Sequence, residues 1–357
     1  MGHFYTPTKI FHFKKKLDSL PASVPEILAP LHVRIKPTNI CCHNCRYCAY
    51  GQANLKIFGK DEVPRIYIPR KKMMEILDDV IGMGVKAVTF SGGGEPFVYP
   101  YFLEAVKKLA ASKVKFASLT NGSRLTGEVA EIFAARGSWL RVSMDGWDDK
   151  SYTAFRGVPP GEFTRITGNM REFKALKGKC RLGVSLIVGK LNAPHVYETV
   201  KRLKETGVDS VKISPCLVND SAEANNKYHK PFFKEVKRQV RKAVAELAGR
   251  GFEISDAYAV LDNKFAKDYC WCPNLQIMPV IGADLNVYSC PDKAYNLRTG
   301  VIGSIKNTRF RDFWFSDKNK FFKINPSRDC VHHCEANQKN RLALEYLDSD
   351  KDHLDFV

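Results

Sequence analysis

The sequence contains no apolar run near the eighteen or so residues that a membrane span requires, so a transmembrane helix is not expected. The N-terminus reaches Lys14-Lys15-Lys16 after a few mixed aromatics and lacks the apolar core and cleavage site of a secretory signal. The expected location is therefore the cytoplasm. Acidic side chains are in the minority, with 38 Asp and Glu against 56 Lys and Arg, which leaves a formal charge of +18. Such a field recruits anions. What is missing again narrows the choice: the basic residues stand singly or in short groups such as Arg70-Lys71-Lys72 and Lys237-Arg238, with no long basic tail and no nucleic-acid motif. The expected partner is a small anionic molecule, and neither a membrane nor a nucleic acid.

Cysteine, by contrast, is plentiful. Eleven cysteines in 357 residues would suggest disulfides in a small secreted chain, but clustered in a larger cytosolic one they point to metal or redox use. Cys41, Cys45 and Cys48 are spaced so that one short loop can turn three thiolates towards one point. A cubane iron-sulfur cluster takes four protein ligands, so three would leave one iron open for a reacting ligand. Zinc is the competing reading, with His43 inside the loop as a further donor, although the surroundings lack the paired spacing of a zinc module. Cys42 reads as a bystander.

Downstream the pattern alternates strand and helix. Strands are expected at 33–36, 87–90, 116–119, 140–142, 182–188 and 211–213, separated by helical periodicities at 71–84, 102–109, 129–135, 166–176 and 196–203. Repeated β-α units imply parallel strands with right-handed crossovers, and six of them suit an open partial barrel with function at the strand C-termini. Several strand ends carry distinctive residues: Ser91-Gly92-Gly93-Gly94-Glu95-Pro96, Thr120-Asn121-Gly122, Ser143-Met144-Asp145-Gly146 and Ser214-Pro215-Cys216. Residues 219–229 read as a loop before a basic amphipathic helix at about 231–248. The C-terminal third changes character, with Cys270-Trp271-Cys272, then Cys290 beyond a hairpin at 277–288, then Cys330 and Cys334, which share one face if helical.

The triad spacing, with Tyr47 just before its last cysteine, resembles the signature of the radical S-adenosylmethionine family. That resemblance implies an α/β fold, a partial (β/α)6 barrel of the radical SAM type, with S-adenosylmethionine bound at a 4Fe-4S cluster held by Cys41, Cys45 and Cys48. Gly93, Gly94 and Glu95 match the family's Gly-Gly-Glu-Pro element, which binds the cofactor's amino group. Ser143 and Asp145 resemble its ribose-binding pair, Arg156 resembles the arginine that pairs with the cofactor's carboxylate, and Tyr47 and Asn121 belong to the same mouth. The C-terminal pattern resembles the auxiliary-cluster domain called Twitch, a relative of SPASM, in the form of a small β-hairpin/helix iron-sulfur domain. It implies a second 4Fe-4S cluster on Cys272, Cys290, Cys330 and Cys334, with Cys270 left over and zinc, with His332 or His333, as the alternative. Residues 1–30, mixed and with Pro7, Pro21, Pro25 and Pro30, read as a loosely structured lead-in; the implied division continues with the barrel at 31–225, a bridging helix and linker at 226–268, the auxiliary domain at 269–345 and a tail at 346–357.

The implied chemistry is reductive cleavage of S-adenosylmethionine to a 5'-deoxyadenosyl radical, with a reducing partner such as flavodoxin or ferredoxin. The radical takes a hydrogen atom from a small polar or anionic substrate, with sugars or nucleotide-linked sugars expected first because the charge favours phosphate and no added N-terminal peptide-recognition domain is expected. Epimerisation, dehydrogenation and deoxygenation stay open. Maturation of a ribosomally made peptide or a protein side chain is the alternative. Cys216, at the end of the sixth strand, is a candidate hydrogen-atom donor, whereas Cys180, at the opposite end of the fifth, reads as a core residue.

Overall fold

A computed structural model describes residues 6–262 and 265–355. Residues 1–5 of the expected lead-in, 263–264 of the linker and 356–357 of the tail lie outside the described residues.

Ten strands form one open sheet in the order β10-β9-β8-β1-β2-β3-β4-β5-β6-β7. They are β1 His32–Ile35, β2 Ala87–Phe90, β3 Lys115–Thr120, β4 Trp139–Ser143, β5 Arg181–Val188, β6 Ser210–Pro215, β7 Glu253–Asp256, β8 Val280–Ile281, β9 Asn286–Tyr288 and β10 Val301–Ser304. The first seven run parallel in sequence order, each pairing with the next. Helices link them, as parallel neighbours require.

Side-chain period explains the layers. Along β1, Val33 and Ile35 are fully buried on the outer face, and they meet helices such as Arg70–Gly82, whose Met73, Ile76, Leu77 and Val80 are buried at helical spacing. Each such side chain contributes about 1.5–3 kcal/mol of burial free energy. The alternate residues point to the inner face and are polar or charged: Arg34 on β1, Arg141 on β4 and Lys212 on β6. Glu335 enters from the C-terminal segment to pair with Lys212, and its carboxyl is held down to about 2, chiefly by Lys212, with Arg34 and Arg141 adding to the pull. Its side chain is nevertheless 69% accessible, so the inner face borders water-filled space and not a dry core.

Four features depart from the sequence reading. A seventh parallel strand, β7, extends the barrel sheet beyond the six expected. Residues 222–229 form the helix Ala222–His229 and not a loop: Ser221 caps it by accepting from the Ala224 N–H, at 3.4 Å. The lead-in is ordered where described, with a short helix Lys14–Asp18 whose Leu17, together with Leu20, packs against Ala343 of the helix Asn337–Asp348. Finally, Cys330 to Cys334 are not helical, because the short helix Pro326–Asp329 ends before them.

The C-terminal hairpin is continuous with the barrel sheet. β8 pairs in parallel with β1 through Arg34 opposite Val280 and Ile35 opposite Ile281, and β9 and β10 follow antiparallel.

Candidate active site

The cysteine loop leaves the C-terminal end of β1 and is pinned from two sides. On one side Asn44 N–H donates to Arg156 O (2.9 Å) and Arg46 N–H to Phe155 O (3.3 Å). These are the last residues of the helix Asp149–Arg156, which begins at a capping box between Asp148 and Ser151. Gly157, in the left-handed region at φ 57°, ends that helix, and a Cβ there would meet Asn44 O at 2.6 Å. On the other side Gly94 N–H donates to Thr38 O (2.9 Å) and Glu95 N–H to Ile40 O (2.8 Å). A Cβ on Gly94 would lie 2.0 Å from Ile40 O, so this approach of two backbones needs glycine.

Glu95 is buried and stitches two strand ends together. Its Oε1 accepts from Thr120 Oγ1 (2.7 Å) and Phe97 N–H (3.1 Å), and its Oε2 accepts from Asn121 N–H (2.6 Å). Burial pushes its carboxyl up to about 7, against the pull of these donors. Asn121 Nδ2 donates to Cys42 Sγ at 3.1 Å, so Cys42 turns towards the end of β3. Asp145, fully buried, accepts from the Tyr47 hydroxyl and from Ile187 N–H (2.8 Å) and pairs with Arg156. Arg156 Nη1 also lies 3.5 Å from Cys45 Sγ. Tyr47, Asp145, Arg156 and Cys45 thus form one network. Ser143 stands beside it, its carbonyl 3.5 Å from the Tyr152 hydroxyl.

His43 is not turned to the cysteines. Its Nε2 lies 2.8 Å from Ser123 Oγ and 3.3 Å from Glu162 Oε1, and burial holds its imidazole down at about 4, hence neutral. Nε2 is thus taken up by Ser123 and Glu162, while Nδ1 has no partner among the described residues.

A cavity of ≈ 200 Å³ opens at the ends of β5 and β6 beside this network. Its walls include Arg46, Tyr47, Phe155, Ile187, Cys216 and Tyr228. Cys216 is buried, its N–H donates to Val188 O (2.7 Å), and burial pushes its thiol up to about 12. Cys180 is buried against Gly137, away from this cavity.

The second cysteine set surrounds a small space lined by Cys272, Cys290, Cys330 and Cys334 together. Burial raises all four thiols, and each also senses another cysteine of the set as a destabilising charge near its own thiolate: Cys272 senses Cys330, Cys290 senses Cys272, Cys330 senses Cys290, and Cys334 senses Cys290 and Cys272. Cys270 is exposed and is not part of this lining. His333 Nε2 is 2.9 Å from Asn226 Oδ1, so it serves the helix Ala222–His229.

Between the two sets runs a row of buried lysines that sequence reasoning missed: Lys36, Lys60, Lys293 and Lys267. Lys36 senses Cys48 at one end, Lys60 senses Cys290, and Lys267 senses Cys334 and Cys330 at the other. Lys36 Nζ donates to the Tyr50 hydroxyl (2.9 Å), which in turn lies 3.3 Å from Pro291 O, next to Cys290. In a sequence these lysines read as ordinary surface charge, and no local pattern marks them.

Residues 35–192 match the radical SAM superfamily. The family's cofactors are a 4Fe-4S cluster and S-adenosylmethionine, and the donors fit: three thiols in one loop, with buried atoms that lack partners gathered round it, namely Ser91 Oγ, Glu62 Oε1 and Arg156 Nε. The chain is similar to an AdoMet-dependent heme synthase of Methanosarcina barkeri, at 27% identity over 180 residues, which cover 50% of this chain and 48% of that protein. It is also similar to an S-adenosylmethionine-dependent nucleotide dehydratase of Lacinutrix mariniflava, at 22% identity, covering 63% of this chain and 41% of that one. It thus spans about half the length or less of these relatives. Among solved structures, Streptococcus suis SuiB bound to its precursor peptide SuiA shares the fold, with TM-score 0.61 at 17% identity over 88% of this chain and 71% of that one. Among the described residues no helix is long and apolar enough to cross a membrane.

Proposed function

We propose that the protein is a radical SAM enzyme acting on a small anionic substrate, of the phosphate-bearing sugar or nucleotide class, held in the barrel interior between two iron-sulfur clusters. The observation that carries this reading is the cationic interior. Lys36, Lys60, Lys293 and Lys267 are buried in one row, and Arg34, Arg141 and Lys212 face the same wet space. Buried ammonium groups that repel one another are costly unless anions share the space. Glu62, Asp292, Asp220 and Glu335 stand among these cations and answer part of that demand, the clusters' own negative charge would answer more, and an anionic substrate answers the rest. The name of the Lacinutrix relative, a nucleotide dehydratase, agrees with this class.

Cys41, Cys45 and Cys48 would hold the first cluster, and Cys272, Cys290, Cys330 and Cys334 the second. Bound in the first loop, a cluster with one open iron supplies the one-electron reduction of S-adenosylmethionine that leads to hydrogen-atom abstraction. The chain's own residues then orient and enclose the reactants. Gly93 and Gly94 present backbone to the cofactor's amino end, with Glu95 and Asn121 fixing that loop. Ser143 and Asp145 serve the ribose, and Arg156 suits a carboxylate because guanidinium binds it bidentately. Tyr47 holds Asp145 in place. Cys216 is the hydrogen donor in this reading: its thiol stays protonated, so it has an atom to give, and it lines the cavity where cofactor and substrate would meet. A cytoplasmic setting and a flavodoxin- or ferredoxin-like reductant belong to the same proposal.

Modification of a peptide side chain is the second reading, and one observation favours it. The ≈ 200 Å³ cavity has a largely apolar wall, with Phe58, Leu217 and Val218, and Leu191 at its rim is 59% exposed.

The test is anaerobic incubation of the reduced protein with candidate nucleotide sugars and with peptides, scoring 5'-deoxyadenosine and the mass of the product. Turnover of an anionic sugar that falls in Lys60→Ala, while substrate-free cofactor cleavage persists, supports the first reading. Turnover of peptides alone would replace it. Cys216→Ser in deuterated water then tests the donor: loss of solvent deuterium at the substrate carbon, with 5'-deoxyadenosine still formed, is expected.

A further inference from the structure

The space between Cys272, Cys290, Cys330 and Cys334 is lined by more than thiols. Besides Lys267, whose ammonium donates to the His332 carbonyl, three nitrogen-bearing side chains face it: Asn340, Asn274 and His332. All three are buried, at 1%, 5% and 4% exposure. Asn340 is already engaged with a cysteine, its Nδ2 donating to Cys272 Sγ at 3.3 Å and to the Tyr269 hydroxyl at 3.2 Å. Its Oδ1 also accepts from the Asn274 N–H at 2.9 Å, which fixes Asn274 at the first turn of the helix Pro273–Ile277, directly after Cys272.

The other two are orphans. Asn274 Nδ2 and both ring nitrogens of His332 have no hydrogen-bond partner among the described residues. A buried polar group left unpaired costs about 1–3 kcal/mol, and two such groups facing one cavity call for a common partner. Their neighbour His333 shows the contrast, since its Nε2 has Asn226 at 2.9 Å. For His332 the nearest candidates are Asp292, with Oδ2 at 3.7 Å from Nε2, and Cys290, whose sulfur lies within 4.8 Å of the ring nitrogen and of the Asp292 carboxylate. The backbone of His332 is held from behind, where Lys267 donates to its carbonyl.

We propose that His332 and Asn274, together with Asn340, are hydrogen-bond donors to the sulfurs of the auxiliary iron-sulfur cluster, and that they set its reduction potential. The inference rests on the assignment of a second cluster to the four cysteines. Its physical content is directional: N–H groups aimed at cluster sulfurs stabilise the reduced form, which carries one more negative charge, and so raise the potential. His332 acts at the Cys290 corner and the two asparagines at the Cys272 corner, so the two ends of the cluster are tuned by separate groups. They are positioning residues, because they touch the cluster and not the reacting carbon.

The test uses the full chain with Cys41, Cys45 and Cys48 replaced by alanine, so that only the second cluster is present. Iron is counted, and the midpoint potential is followed by EPR during a redox titration. The parent should hold about four irons. His332→Phe and Asn274→Leu should each keep that iron and shift the midpoint to a lower potential, and His332→Gln, which retains an N–H donor, should recover part of the shift. An unmoved midpoint with unchanged EPR signals in both variants overturns the proposal while leaving the second cluster standing. Loss of iron in His332→Phe and His332→Gln alike, or strong nitrogen coupling to iron in the parent, makes His332 a ligand and overturns it too. A parent that binds no iron, or a single zinc at Cys290, Asp292 and His332, overturns the second-cluster assignment and the proposal with it.

Discussion

Cys41, Cys45 and Cys48 come from eight consecutive residues, whereas Cys272, Cys290 and the pair Cys330 and Cys334 are drawn from three separate places between a helix start and a C-terminal loop. The first set is pre-arranged by local backbone. Its loop is clamped between Gly94 and Arg156, and one side stays open to a cavity where other molecules can enter. The second set exists only once the hairpin, the helix Pro273–Ile277 and the segment after Asp329 have met. The difference separates a site built to react from a site built into the fold. A metal bound by residues distant in sequence contributes its binding free energy to folding, whereas one bound in a single short loop contributes little.

Five variants would break or sharpen that contrast. The largest effect is expected for the combined alanine replacement of Cys41, Cys45 and Cys48: no 5'-deoxyadenosine, and iron falling from about eight to about four per chain, with an unchanged thermal midpoint. Residual cleavage would show that the reactive site lies elsewhere. Next comes Cys334→Ala, which should cost about four irons and also lower the thermal midpoint and speed proteolysis of residues 269–345. Equal thermal midpoints for the two variants would erase the distinction. Smaller again is the effect of Arg156→Ala or Glu95→Ala, each weakening cofactor binding by about 2–5 kcal/mol in calorimetry while iron is retained. Cys270→Ser should be the mildest, within about 0.5 kcal/mol of the parent in denaturation and with the same iron content, because the thiol is exposed and outside the cavity lining.

Legibility in the sequence followed the same divide between local and distant. The loop cysteines, the glycines at 93 and 94 and the first six parallel strands were readable, because spacing and apolar period are local properties: Val33, Val88, Val142, Val184 and Val211 each sit in a run that only a sheet buries on this schedule. β7 escaped because Glu253-Ile254-Ser255-Asp256 has one apolar residue and every position is half-buried. The helix Ala222–His229 escaped because Asn225 and Asn226 are poor helix formers, and only tertiary contact settles them: Asn225 is buried, with its Oδ1 accepting from Val218 N–H at 2.7 Å. Cys330 and Cys334 proved to be a loop pair and not a helical one. The lysine row and the orphaned nitrogens of His332 and Asn274 had no signal at all, since whether a lysine is buried or an imidazole lacks a partner depends on chain segments hundreds of residues apart.

The pairing of β8 with β1 has a consequence for anyone who would divide the molecule. β1 is the strand that delivers the cysteine loop, and its outer edge is covered by Val280 and Ile281. Removing the chain beyond residue 268 would strip that cover and bare a row of unpaired N–H and C=O groups along an apolar strand, the template on which chains self-associate. A truncated barrel would therefore report its own stickiness, not the competence of an isolated catalytic half, and the seam predicts a single unfolding transition for both halves of the intact protein.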